Sequence, residues 1–128
     1  MRFLITIALL VATLSAFDWP SDYKAALSKA KKEKKDIYLF LGSEYCKYCE
    51  KFEKNVLEKK EVVDKLTKEY VLLYLSRDID DIPEGLETKP VPRHYFLDSN
   101  GKVIYTTIGD RSIGGFYELL DEVKDLKK

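Results

Sequence analysis

Apolar residues change their spacing several times along the chain, and each change marks an element. After Trp19-Pro20, apolar positions fall at Tyr23, Ala26, Leu27 and Ala30, threes and fours that draw one stripe on a helix over Ser21 to Lys35, with Pro20 and Ser21 marking its start. "DIYLFLG", residues 36–42, has no charge after Asp36 and is rich in aromatic and branched residues, as expected of a central strand covered on both faces. From Cys46 the period is helical again, with Cys49, Phe52 and Val56 on one face. A second amphipathic piece, Glu61 to Tyr70, precedes the strand "VLLYL", Val71 to Leu75. Strand, helical crossover and strand predict a parallel pair.

Ser76 to Lys89 is acidic, interrupted by Pro83 and Gly85 and closed by Pro90, so it reads as a loop holding at most one short helical turn. "RHYFLDSNGKVIYTTIG" then predicts two strands around the Asn100-Gly101 turn. Ile113 to Lys127 closes the chain as a helix with Phe116, Leu119, Leu120 and Val123 on its buried stripe. Phe52, Leu73, Phe96 and Phe116 are expected core residues. The order is α/β, in one domain without repeats or linkers.

The N-terminus follows another logic. Met1, a positive charge at Arg2, an apolar run from Phe3 to Leu14 and the small residues Ser15 and Ala16 have the order of a signal peptide, residues 1–16, with the mature domain over 17–128. The run is shorter than the roughly 18 residues of a transmembrane helix, so no stable span is expected once it is removed; an uncleaved N-terminal anchor is the alternative. The chain has 22 basic and 22 acidic side chains. Its signal contributes only Arg2, so the mature domain is close to neutral and nucleic acid is not an expected partner.

Both cysteines of the chain, Cys46 and Cys49, lie in "GSEYCKYCEKF". As a staple, a bond between them would close a two-residue loop and remove little freedom from the unfolded chain. As a couple that opens and closes, it is well placed at a helix start, where a thiolate is favoured as nucleophile and as leaving group. A copper or zinc site remains open as an alternative, with His94 the further ligand the mature chain offers.

Three features in order, "CKYC" leading a helix after a strand, "VPRHYFLDSNGKVI" with Pro92 before a strand and hairpin, and Gly109 before the last helix, make residues 19–127 resemble the thioredoxin-like superfamily, and "GSEYCKYCEKFEKNV" resembles its small exported thiol–disulfide oxidoreductases. The resemblance implies a central mixed four-stranded sheet flanked by helices. It implies Cys46 as nucleophile in the first turn of its helix and Cys49 as the shielded resolving thiol. Pro92 would be a cis-proline that, with Val91 and the aromatic Tyr45, receives an extended substrate segment. The redox-active disulfide Cys46–Cys49 would then be the working group, with no separate cofactor and no metal.

Departures from the family pattern raise further expectations. Phe40 stands where thioredoxin has a buried acid, leaving Glu44 or a water path to receive protons near Cys49. Tyr45 replaces a common Trp. Arg93 replaces a common Thr, as a charge near the site or a solvated one, and His94 is a partly exposed polar residue or an auxiliary group. Lys47, between the cysteines, would stabilise a thiolate and argues for an oxidant. The resembled proteins often serve as reductants, and a reductase or isomerase is the preferred reading. Expected partners are cysteine-containing exported proteins and a membrane thiol electron carrier, with the protein a periplasmic monomer. A non-enzymatic thioredoxin-fold binding module is the other alternative.

Overall fold

Strand β1 (Asp36–Gly42) is the structural axis, with every residue from Ile37 to Gly42 buried. It pairs in parallel with β2 (Tyr70–Ser76) on one side and antiparallel with β3 (Arg93–Leu97) on the other; β3 pairs antiparallel with β4 (Val103–Ile108). The result is a mixed four-stranded sheet of order β2-β1-β3-β4. The computed structural model describes residues 17–128, so the expected signal peptide over residues 1–16 lies outside the described residues. Among the described residues no helix is long and apolar enough to cross a membrane.

Alternation along β1 sends its side chains into two cores. Ile37, Leu39 and Leu41 join Leu73, Leu75, Tyr95 and Leu97 under helix α1 (Tyr23–Glu33), which contributes Ala26 and Ala30. Tyr38 and Phe40 face the other way. There they meet α2 (Lys47–Phe52), α3 (Lys60–Thr67) and α4 (Ile113–Leu126) through Phe52, Val62, Leu66, Phe116 and Val123. Phe52, Leu73, Phe96 and Phe116 are all fully buried, as the apolar periodicity predicts. The stripe on α4 is buried at the four expected positions, Phe116, Leu119, Leu120 and Val123.

Local chemistry moves several element ends. Helix α1 starts at Tyr23 rather than Ser21 because the Asp22 carboxylate accepts from the Ala25 N–H, which makes Asp22 the cap. Helix α3 stops at Thr67, and Tyr70, expected at the end of that helix, is instead the first, buried residue of β2. Residues 77–92 contain no helix; one helical turn opens the segment, where the Ser76 carbonyl accepts from the Asp80 N–H at 2.8 Å, as expected. The hairpin turns through Asp98–Lys102, where the Asp98 carboxylate accepts from the Asn100 and Lys102 N–H groups and Gly101 takes a φ of +83°.

Two strand β3 residues depart from their expected settings. His94 is not partly exposed: it is fully buried, and its two ring nitrogens are hydrogen-bonded to the Tyr38 hydroxyl and the Gly109 carbonyl, each at 2.7 Å. Its ring packs against Phe52 and Phe40. Arg93, 5% exposed, is also not solvated. It pairs across the sheet with Leu41, on the α1 face, and binds the Lys89 carbonyl and the Glu87 carboxylate. Among the described residues its Nε is a buried polar atom without a partner.

Burial is the main force on His94 and pushes its pKa from 6.5 down to about 4, although the Gly109 carbonyl pulls the other way. The folded protein therefore keeps His94 neutral while the unfolded chain takes up a proton below about pH 6.5. Stability contributed by neutral His94 is complete above pH 6.5 and declines as pH falls towards 4. Urea unfolding at pH 7 and pH 4 is expected to differ by about 3 kcal/mol more in the wild type than in His94→Gln, which has no titrating ring.

Candidate active site

The carboxyl end of β1 delivers the chain into a short loop, Ser43 to Tyr45, and then into α2. Asp78, in the turn after β2, holds that loop: its carboxylate accepts hydrogen bonds from the Ser43 hydroxyl and, at 2.9 Å, from the Glu44 N–H. These two bonds hold its pKa below the usual carboxylate range, the Ser43 hydroxyl contributing most. The loop is thus pinned from outside the helix that it precedes.

Cys46 is the N-cap of α2, one position before the first turn in which it was expected, with extended backbone. Its Sγ accepts from the Cys49 N–H at 3.1 Å, as a Ser or Asp side chain would at a helix start. Cys46 and Cys49 are joined in a disulfide with their Cα atoms 5.2 Å apart. Their settings differ: Cys46 is part-exposed, whereas Cys49 is 1% exposed and belongs to the core formed by Phe40, Phe52 and Phe116. Of the two sulfurs, the one open to solvent belongs to the part-exposed residue, Cys46.

The remaining expected residues separate into those around the disulfide and those away from it. Tyr45 is 99% exposed, and Tyr48, inside the motif and not anticipated as a contact residue, is 61% exposed, so aromatic rings stand on both sides of Cys46 in the sequence. Lys47, at the first position of α2, is exposed. The Val91–Pro92 bond is cis; Pro92 is buried and its carbonyl accepts from the Gly109 N–H, while Val91 packs against both cores. His94 and Arg93 are engaged elsewhere, as described. With both His94 nitrogens hydrogen-bonded, the ring has no free lone pair to join the cysteines around a metal ion.

Beside Cys46 lies a cavity of about 460 Å³ lined by Ser43, Glu44, Glu50, Glu53, Glu58 and Tyr74 among others. Glu44 is exposed at its rim, whereas Glu53 is half-buried. Sequence periodicity does not single out Glu53, because the helix changes type there: Glu53–Leu57 forms a π turn, closed by the Glu58 N–H on the Glu53 carbonyl. A glutamate one helical turn after Cys49 was the available signal. Burial first, then the carboxylates of Glu58, Glu50 and Glu44, raise the Glu53 pKa to about 7, against the pull of Lys54.

Residues 18–99, more than half of the chain, match the model of a family described as thioredoxin-like. Similar solved structures include a DsbH oxidoreductase, at 20% identity over 85% of both chains with a TM-score of 0.65. A disulphide isomerase from Xylella fastidiosa Temecula1 is 22% identical over 85% of this chain and 99% of its own, with a TM-score of 0.63. The oxidised C-terminal domain of DsbD from Neisseria meningitidis is 20% identical over 82% of this chain and 98% of its own, with a TM-score of 0.60. No curated protein matches the chain.

The Asp78 anchor has a local signature. Asp78→Ala removes the acceptor of the Glu44 N–H and the Ser43 hydroxyl, so amide hydrogen exchange at Glu44 is expected to rise several-fold while exchange in β1 stays slow. Unchanged exchange at Glu44 would show that the loop is held by other contacts.

Proposed function

The chain belongs to the thioredoxin-like family and has the fold, the motif and the bond of a thiol–disulfide oxidoreductase; on that premise we propose that it acts in the periplasm on cysteine-containing exported proteins, as a reductase or isomerase resupplied with electrons by a membrane thiol carrier. The observation that carries the reading is the Cys46–Cys49 disulfide itself, one sulfur part-exposed at a helix cap and the other buried behind it. The signal-like order of residues 1–16 supports export. Likeness to a DsbD domain supports a membrane donor as the class of partner.

In the reducing direction the Cys46 thiolate attacks one sulfur of a target disulfide, and the target's other sulfur leaves as a thiolate. Cys49 then attacks Cys46 Sγ, the mixed disulfide breaks, and the target's second thiolate departs. Two electrons have passed from the dithiol to the target, and the Cys46–Cys49 bond has closed. A carrier dithiol reverses the same exchange to reopen it. Tyr45, Val91 and Pro92 are assigned to the substrate segment, Tyr45 by its full exposure beside the nucleophile and Val91 because its backbone is engaged by no partner among the described residues.

Charge around Cys46 supports the reducing direction. Lys47 opposes it, since a cation stabilises the thiolate and with it the reduced form. Four glutamates, however, line the cavity beside Cys46, and the ammonium of Lys54 there is paired with Glu50 at 2.8 Å. The excess of carboxylates opposes negative charge on the sulfur and favours the closed disulfide, which makes the couple a better electron donor.

Equilibrium titration of the Cys46–Cys49 couple in glutathione buffers is expected to give a potential near thioredoxin's roughly −270 mV. A value near about −120 mV would instead identify an oxidant. In cells, Cys49→Ser is expected to accumulate Cys46-linked partners on non-reducing gels, and Cys46→Ser to accumulate none; absence of linked species in both would set the two-cysteine mechanism aside.

A further inference from the structure

Between β2 and β3 the chain runs through residues 77–92 without helix or strand, and so without a ladder to hold its carbonyls. Side chains hold them instead. Three successive carbonyls each accept a hydrogen bond from a different side chain: Glu87 from the Tyr95 hydroxyl at 2.8 Å, Thr88 from Arg77 Nη1 at 3.1 Å, and Lys89 from Arg93 Nη2 at 3.1 Å. Arg93 also pairs with the Glu87 carboxylate at 3.3 Å, and its guanidinium lies 5.9 Å from the centre of the Tyr95 ring. Arg77 extends the grip to the cysteine motif. Its own N–H donates to the Gly42 carbonyl at 3.0 Å, at the end of β1, and Asp78 beside it holds Ser43 and Glu44.

Immediately after the clamped carbonyls comes Pro90-Val91-Pro92. Neither proline has an N–H to donate, and the Pro92 carbonyl already accepts from Gly109. Val91 is thus the one residue of the three whose N–H and C=O both stand without a partner among the described residues. A residue in that condition can pair with a passing extended segment through both groups at once. Such pairing helps the chemistry only if Val91 is fixed relative to Cys46. Both residues pack against the same core, and the clamp secures the chain just before Val91.

Fold stability does not account for Arg93. It is 5% exposed and its Nε has no partner, so an apolar side chain of similar length would fill the space without burying a charge. Glu87 would be left in water rather than in the core, since its side chain is 76% exposed. Polar groups that break the rule of internal satisfaction concentrate where function requires them. Resting on the oxidoreductase reading, we propose that Arg93, with Tyr95 and Arg77, is a positioning residue for the target. By gripping the carbonyls of residues 87–89 it aims the Val91 backbone at the extended segment beside the target cysteine, and so selects disulfides carried on polypeptide over small-molecule disulfides. None of the three side chains touches the reacting sulfurs. Their contribution is order present before the target arrives, which spares binding the entropy of fixing the loop.

Two oxidants separate positioning from chemistry. The fully reduced protein is oxidised by a peptide closed by a disulfide, with residues on both sides of its cysteines, and in parallel by 5,5′-dithiobis(2-nitrobenzoate), which has no peptide backbone. In Arg93→Met the second-order rate constant with the peptide is expected to fall about 10-fold, the scale of ordering one backbone residue on binding. The rate with the small disulfide should stay at the wild-type value, and the urea midpoint of the oxidised protein should not drop. Tyr95→Phe should slow the peptide reaction alone, and Arg93→Lys, which keeps a donor for the Lys89 carbonyl, should recover part of the loss. Methylating the backbone nitrogens beside the peptide's cysteines removes the N–H groups that the Val91 carbonyl would accept. That change should slow the wild type about 10-fold and Arg93→Met far less, because the two losses share one interaction.

Other results count against the assignment in different ways. Wild-type peptide rates in Arg93→Met overturn it. Equal slowing with both oxidants, or a lowered urea midpoint with no selectivity between them, makes Arg93 a structural residue and overturns it too. If Arg93→Met does not fold, Arg93→Lys and Tyr95→Phe decide by the same comparison. A wild type indifferent to the methylated peptide removes Val91 from the target site, and the proposal with it. Failure of the reduced wild type to react with either disulfide overturns the oxidoreductase reading itself, whatever the variants do.

Discussion

Two-sided burial of β1 is the constraint on which the rest of this structure depends. A strand covered on both faces cannot slip in register without exchanging the contents of two cores, so its carboxyl end is the best-determined point in the molecule. Everything with chemical character begins there: Gly42, the loop anchored by Asp78, the Cys46 cap and the buried Cys49. The neighbouring strands supply the rest by register, β2 bringing Tyr74 opposite Phe40 and β3 bringing His94 opposite the same residue. A reactive bond at the carboxyl end of a rigid inner strand can open and close while the fold around it stays in place.

The site combines a sulfur that needs water with one that must avoid it. Capping geometry satisfies both demands within four residues, because a cap side chain lies outside the helix while the residue three positions later lies on its inner face. Burial that protects Cys49 also removes its proton acceptors. The π turn that follows α2 places a glutamate and two apolar residues, Val56 and Leu57, on the inner side, so the helix delivers an ionisable group and core packing from the same stretch. Carboxylates crowded around that glutamate bring it near neutrality and at the same time surround Cys46 with negative potential.

Some of this was legible in the sequence for simple reasons. The uninterrupted apolar run at residues 36–42 and the period-3.6 stripe at 113–127 encode which faces are apolar, and one sheet with helices on both sides is the economical way to bury them. Cys46 and Cys49, three positions apart in the chain, needed no tertiary information to be paired. Arg93 and His94 were not legible, because a strand residue's face depends on its register with its neighbours, and both polar side chains found internal partners, Glu87 and the Lys89 carbonyl for one, Tyr38 and the Gly109 carbonyl for the other. Glu53 was hidden for a different reason, since a π turn breaks the periodicity by which buried helical positions are recognised.

Sequence alone determined the order of elements, the identity of the core stripes and the two-cysteine motif at a helix start, because each rests on residues close together in the chain. Tertiary structure decided which carboxylate stands beside the disulfide and which polar residues of β3 belong to the interior. Those are properties of distance between segments far apart in sequence. Glu53 and Tyr74 are separated by a helix and most of a strand, and only the closing of β2 against β1 puts them around one cavity.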